Sequence, residues 1–94
     1  MIKSFQDRET EKLFITGRSR KIPPAIVKTS LRKLDYINAA HNTYDLRIPP
    51  GNKLEILKGN LKGKYSIRIN DQYRIIFRFE KSNAFDVQII DYHK

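Results

Sequence analysis

Two runs of alternating apolar and polar residues, joined by a polar turn, fix the middle of this 94-residue chain. Tyr65, Ile67 and Ile69 alternate with Ser66, Arg68 and Asn70; Tyr73, Ile75, Phe77 and Phe79 alternate with Arg74, Ile76 and Arg78. A period of two is what a strand needs to bury one face only. Asn70-Asp71 supplies the turn, because short polar side chains tolerate left-handed backbone. The odd positions then face a core, and the even positions put arginines on the opposite face of the sheet. Just upstream, Lys53-Leu54-Glu55-Ile56-Leu57 is a short apolar run, and Lys58-Gly59-Asn60-Leu61-Lys62-Gly63-Lys64 is a glycine-punctuated basic loop. A basic sheet face beside a basic loop is a place for a polyanion.

The rest of the chain fits around this stretch. Met1–Phe5 reads as a short strand. Asp7 is an N-cap for a short helix in which Glu9 and Glu11 suit the positive end of the dipole and Gly17 is the stop. Pro23-Pro24 opens a longer helix, since proline is tolerated in the first turn. Its stripe of Val27, Leu31, Leu34 and Ile37 faces the sheet, Lys28, Arg32 and Lys33 lie off it, and it ends near Ala39-Ala40. Residues 41–52 read as a loop, Ser82-Asn83 as a turn, and Phe85, Val87 and Ile89 as a last strand. Helices first and then an antiparallel meander predict an α+β domain, 1–94, with the helices on one sheet face. The other face stays available.

Charge sharpens the reading. The net charge is +9, from 19 Lys and Arg against 10 Asp and Glu. Residues 1–33 contribute +6 and residues 51–78 contribute +5. Such a field attracts nucleic acid, because neutralised phosphates release condensed counterions. Without cysteine there is neither a disulfide framework nor a thiolate metal site. His41 and His93, the only histidines, have no carboxylate cluster at metal-ligand spacing, so no metal is expected. Gly59–Lys64 resembles a phosphate-binding P-loop but is one residue short, carries Tyr65 in place of Ser or Thr, and precedes a strand instead of a helix. Nucleotide triphosphate binding is rejected. No run has the length of a membrane span or signal peptide, and a cytoplasmic location is expected.

The closing Asp91-Tyr92-His93 ends an apolar strand, which can hold it at the sheet's rim. Carboxylate, phenol and imidazole are groups suited to proton transfer and base stacking.

Several of these motifs, in order, resemble one family. They are Ile2-Lys3-Ser4-Phe5, Lys12-Leu13-Phe14-x-x-Gly17, Lys53-Leu54-x-x-Leu57-Lys58-Gly59 and Gly63-x-Tyr65-Ser66-Ile67-Arg68-Ile69-Asn70. Gln72-Tyr73-Arg74-Ile75-x-Phe77 and Asp91-Tyr92-His93 complete the set. Together they resemble the HigB toxins (plasmid maintenance system killer proteins) of the RelE/ParE superfamily, over essentially the whole chain. The resemblance implies a RelE-like fold and a metal-free, cofactor-free mRNA endoribonuclease acting on translated messages in the ribosomal A site. It also implies silencing by a helix-turn-helix, HigA-like antitoxin, through whose complex alone operator DNA is bound.

On that reading Asp91 and His93 handle protons, Tyr92 stacks on a base or positions the 2′-OH, and Arg74, Lys58 and Arg68 stabilise the phosphate. Cations placed where charge develops supply much of the rate, and arginine's planar fork suits a phosphate. Lys62, Lys64 and Arg78 would hold RNA, and Lys12, Arg18, Arg20, Lys28 and Arg32 would grip the ribosome. One departure stands out: some HigB toxins have histidine where this chain has Glu55, so that carboxylate is a further candidate for proton handling. The rival readings are a ParE-like gyrase inhibitor and a non-catalytic RNA- or ribosome-binding module.

Overall fold

The computed structural model describes residues 1–92. Helix α1 (Arg8–Thr16) begins where the Asp7 side chain accepts from the backbone N–H of Thr10, and ends at Gly17, whose φ of 76° brings its N–H onto the Leu13 carbonyl. Helix α2 (Pro24–Ala39) starts at its proline, as expected. Strands β1 (Glu55–Ile56), β2 (Lys64–Arg68), β3 (Tyr73–Glu80) and β4 (Asn83–Asp91) form a sheet in the order β1-β2-β3-β4, antiparallel throughout. Both helices pack on one face of it, and the expected α+β architecture holds.

The odd-numbered positions of β2 and β3 do face the core. Ile67, Ile69, Ile75 and Phe77 pack with Leu13 of α1, with Leu34 and Ile37 of α2, and with Ala84, Val87 and Ile89 of β4. Buried threonine ties the layers together: Thr10 Oγ1 accepts from the backbone N–H of Ile89 at 3.1 Å.

Four expectations need correction. Met1–Phe5 is not a strand; it makes two isolated parallel bridges, Ile2 to Ala84 and Phe5 to Val87, because its partner β4 is irregular there. That irregularity is a bulge opposite Ile76–Arg78, with Asp86 at φ 55°. The extra residue shifts the alternation by one, so Ala84, Val87 and Ile89 point inward and Phe85 lies with Arg78 on the outer face. The α2 stripe is also rotated. Ile26, Ser30, Lys33, Leu34 and Ile37 are buried whereas Val27 and Leu31 are half-buried, so Lys33 lies on the packed face and not off it. Finally, residues 41–52 are partly ordered as 3-10 turns (Thr43–Arg47 and Pro50–Asn52), and Leu46 and Asn52 are buried in them.

Candidate active site

A cleft of about 450 Å³ opens at the end of the sheet where β2 turns into β3, on the face away from the helices. Lys53, Glu55, Arg68, Asn70, Asp71, Arg74 and Tyr92 line it. Register brings these residues together. Glu55 pairs with Ser66 across β1–β2, Arg68 pairs with Arg74 across β2–β3, and Tyr73 pairs with Asp91 across β3–β4. The chain beyond β4 is pinned where the N–H of Tyr92 donates to the Gln72 carbonyl at 2.5 Å.

Arg74 is the centre of the cleft and only 7% exposed. Its Nε donates to Ser66 Oγ at 2.8 Å, and its Nη2 donates to the Lys53 carbonyl at 2.6 Å and, more weakly, to the Ser66 carbonyl at 3.4 Å. Nη2 also lies 3.1 Å from Glu55 Oε1. Nη1 takes part in none of these bonds, so the fork is aimed without being exhausted. The guanidinium carbon is 5.6 Å from the centre of the Tyr92 ring, within cation–π range. Burial lowers the pKa of Arg74, the Glu55 carboxylate and Tyr92 push it back up, and Arg68 lowers it again. An arginine stays charged through such shifts.

The other residues singled out in the sequence do not all meet in the cleft. Arg68 and Glu55 stand in the cleft with Arg74, Arg68 paired with Asp71 and Glu55 half exposed beside Arg74. Asp91 closes β4 at the rim, where its Oδ2 accepts from Gln72 Nε2 at 3.0 Å. His93 lies outside the described residues. Lys58 is exposed at the head of a 3-10 turn, Gly59–Leu61, and is not among the residues lining the cleft; the lysine that lines it is Lys53. Lys62 is exposed, and Lys64 opens β2 opposite Arg78. Arg78 is engaged by Glu80 at 3.2 Å and Asp86 at 3.5 Å and covers the Phe85 ring, so its charge is largely met within the chain. Lys12, Arg18 and Arg20 surround a separate hollow of about 450 Å³ with Thr16 and Ser19. Lys28 and Arg32 are exposed on α2.

Sequence reasoning missed Lys53, Ser66 and Asn70. Lys53 adopts φ 44°, a left-handed turn that presents its carbonyl to Arg74, and nothing in the alternation pattern announces that. Ser66 was legible in part, as a small polar residue on the arginine face. Among the described residues no three His, Asp or Glu side chains cluster as they would around a metal ion. Among the described residues, no helix is long and apolar enough to cross a membrane.

A family model described as HigB-like toxin, the RelE-like toxin of the type II toxin–antitoxin system HigB, matches residues 3–93. Toxin HigB-1 of Vibrio cholerae serotype O1 is 44% identical over 95 aligned positions, spanning all of this chain and 99% of the relative. Endoribonuclease HigB of Proteus vulgaris is 32% identical over 93 positions, spanning 99% of this chain and 100% of that protein. The YoeB–YefM complex from Staphylococcus aureus superposes with a TM-score of 0.62 at 20% identity, covering 100% of this chain and 99% of that one, which shows a shared fold. The chain therefore belongs to the HigB-like toxins, the RelE-like toxins of type II toxin–antitoxin systems.

Proposed function

We propose that this protein is an endoribonuclease that cuts messages while they are being translated, without a metal, and that a HigA-like antitoxin silences it. The observation that carries the reading is Arg74, a buried guanidinium aimed by Ser66 and the Lys53 carbonyl into a cleft it shares with Arg68, Glu55 and Tyr92. The name of its Proteus vulgaris relative, Endoribonuclease HigB, supports the same chemistry.

Cleavage by 2′-OH attack requires three things of the protein. The 2′-OH must lose a proton, the pentavalent phosphate must be neutralised, and the departing 5′-oxygen must be protonated. Arg74 and Arg68 supply fixed positive charge at the phosphate, with Lys53 at the cleft wall, and a preorganised cation needs no rearrangement as the charge develops. Tyr92 presents a ring for a base to stack on and a phenol for the 2′-OH. Asp91 and His93 carry the proton transfers, Asp91 from the end of β4 beside Tyr92. Glu55, paired with Arg74, competes with the phosphate for it, and once displaced its carboxylate is free to accept a proton.

The remaining cations serve the larger partner. Lys58, Lys62 and Lys64 extend the positive edge along the message, whereas Lys12, Lys28 and Arg32 on the helices and Arg18 and Arg20 on the connector between them meet ribosomal RNA. Primer extension on messages from cells expressing the chain tests the reading. Cuts within codons, present on translated messages and absent from the same RNA free in solution, are expected, and they should persist in a chelator. Intact messages with gyrase-linked DNA damage would instead favour a ParE-like activity. Toxicity unchanged by Arg74→Ala or His93→Gln would favour a binding module without catalysis.

A further inference from the structure

A lysine buried in a basic protein with no carboxylate beside it is an expensive arrangement, and Lys33 is such a residue. It is 4% exposed on the packed face of α2, and its Nζ donates to the carbonyl oxygen of Arg68 at 2.5 Å. Among the described residues no acidic side chain forms an ion pair with it. The charged groups that act on it are Arg32 on its own helix, Arg68 on β2 and Arg74 on β3, all cations. Burial first, and these three cations after it, push its pKa below the ordinary lysine value.

Packing does not require an ammonium here. A methionine would fill similar space without desolvating a charge, and replacing buried charge by hydrocarbon is often neutral or stabilising. The amine does two things a hydrocarbon cannot. It holds the carbonyl of the last residue of β2, from which the Arg68 side chain and the Asn70-Asp71 corner enter the cleft. It also adds a positive charge behind Arg68 and Arg74, which have the half-exposed Glu55 and the fully exposed Asp71 as their only ion-pair partners among the described residues.

We propose that Lys33 is a positioning residue for a phosphate anion in the cleft, fixing the end of β2 from the helix side and supplying buried positive charge that an anion between Arg68 and Arg74 neutralises. This deepens the cleavage reading, since it concerns the same cleft.

The test uses the full-length labelled protein and sulfate, a tetrahedral dianion that does not titrate in the working range, against chloride at matched ionic strength. NMR follows the Nε–Hε groups of Arg68 and Arg74 and the Cε of Lys33. Sulfate should shift both arginine signals and raise the titration midpoint of Lys33. Lys33→Met should melt at or above the wild-type temperature and bind sulfate about tenfold more weakly, the loss expected when one unit charge near a partly buried anion is removed. An unmoved Lys33 midpoint, arginine signals indifferent to sulfate, or wild-type affinity in Lys33→Met would each overturn the proposal. The wild-type titration decides alone if the variant does not fold. A protein that couples Lys33 to sulfate but leaves translated messages intact would sink the cleavage reading and spare this one; cleavage with an indifferent Lys33 would do the reverse.

Discussion

Replacing Arg74 with lysine keeps the charge and removes the fork, which separates the two services this residue performs. Its bonds to Ser66 Oγ and to the Lys53 carbonyl are 2.8 and 2.6 Å long and leave from different nitrogens. A lysine has one nitrogen and satisfies one of these acceptors at best. Ser66 is fully buried, so its hydroxyl has no water to turn to. Losing one hydrogen bond from a charged donor removes about 1.5–3 kcal/mol, and a stranded buried hydroxyl is at the upper end of that effect. We therefore expect Arg74→Lys to lose about 2–3 kcal/mol, which for a chain of this size is a fall in Tm of about 10–20 °C. Thermal and urea unfolding with an unchanged m-value measures it. Adding Ser66→Ala should recover part of the loss, because the stranded hydroxyl is gone. A variant melting within about 3 °C of the wild type, less than 1 kcal/mol, would refute the claim that the fork organises the cleft.

Further outcomes follow from other contacts. Glu55→Gln removes a half-exposed partner of Arg74, a pair worth about 1 kcal/mol, so non-cleavable 2′-O-methyl RNA should bind about fivefold more tightly. Weaker binding would rule out competition, and a cleavage rate that falls while affinity rises would assign Glu55 the proton. The pKa of Lys33 is lowered in the folded chain, so its burial penalty is present in full below that folded value. As pH rises from there towards 10.5, the unfolded chain binds more protons and stability increases. The stability gap between Lys33→Met and wild type should accordingly narrow in alkaline urea titrations, and a constant gap would mean that the amine is not buried in solution. Binding of the same RNA should weaken at least about tenfold between 50 and 200 mM salt if several phosphates are held; a flat isotherm series would remove the electrostatic account. Gly17→Ala forces a side chain into φ 76° and should cost about 1 kcal/mol in the same unfolding assay, with no change in RNA binding.

Much of the fold was legible because its signals are local. Asp7 and Gly17 bracket α1, Pro24 opens α2, and the alternation from Tyr65 to Phe79 assigns faces without reference to anything distant. The same alternation placed Arg68 and Arg74 on the open face. It failed at Phe85 because one inserted residue at Asp86 reverses the parity of β4, and such a bulge answers to the partner strand. It failed at Lys33 because a lysine counts as polar in any stripe, whereas the Arg68 carbonyl that accepts its hydrogen bond is 35 residues away.

The order of apolar and polar residues by itself determined the two helices, the meander and the sign of the charge on its outer face, since each depends on neighbours within a turn or a strand. Only tertiary structure decided which charges meet. The left-handed turn at Lys53, the β1–β2 register that puts Glu55 beside Arg74, and the seat of Lys33 all depend on contacts between segments far apart in the chain. Coulombic and hydrogen-bond partners are chosen by distance in space, which a linear pattern does not encode.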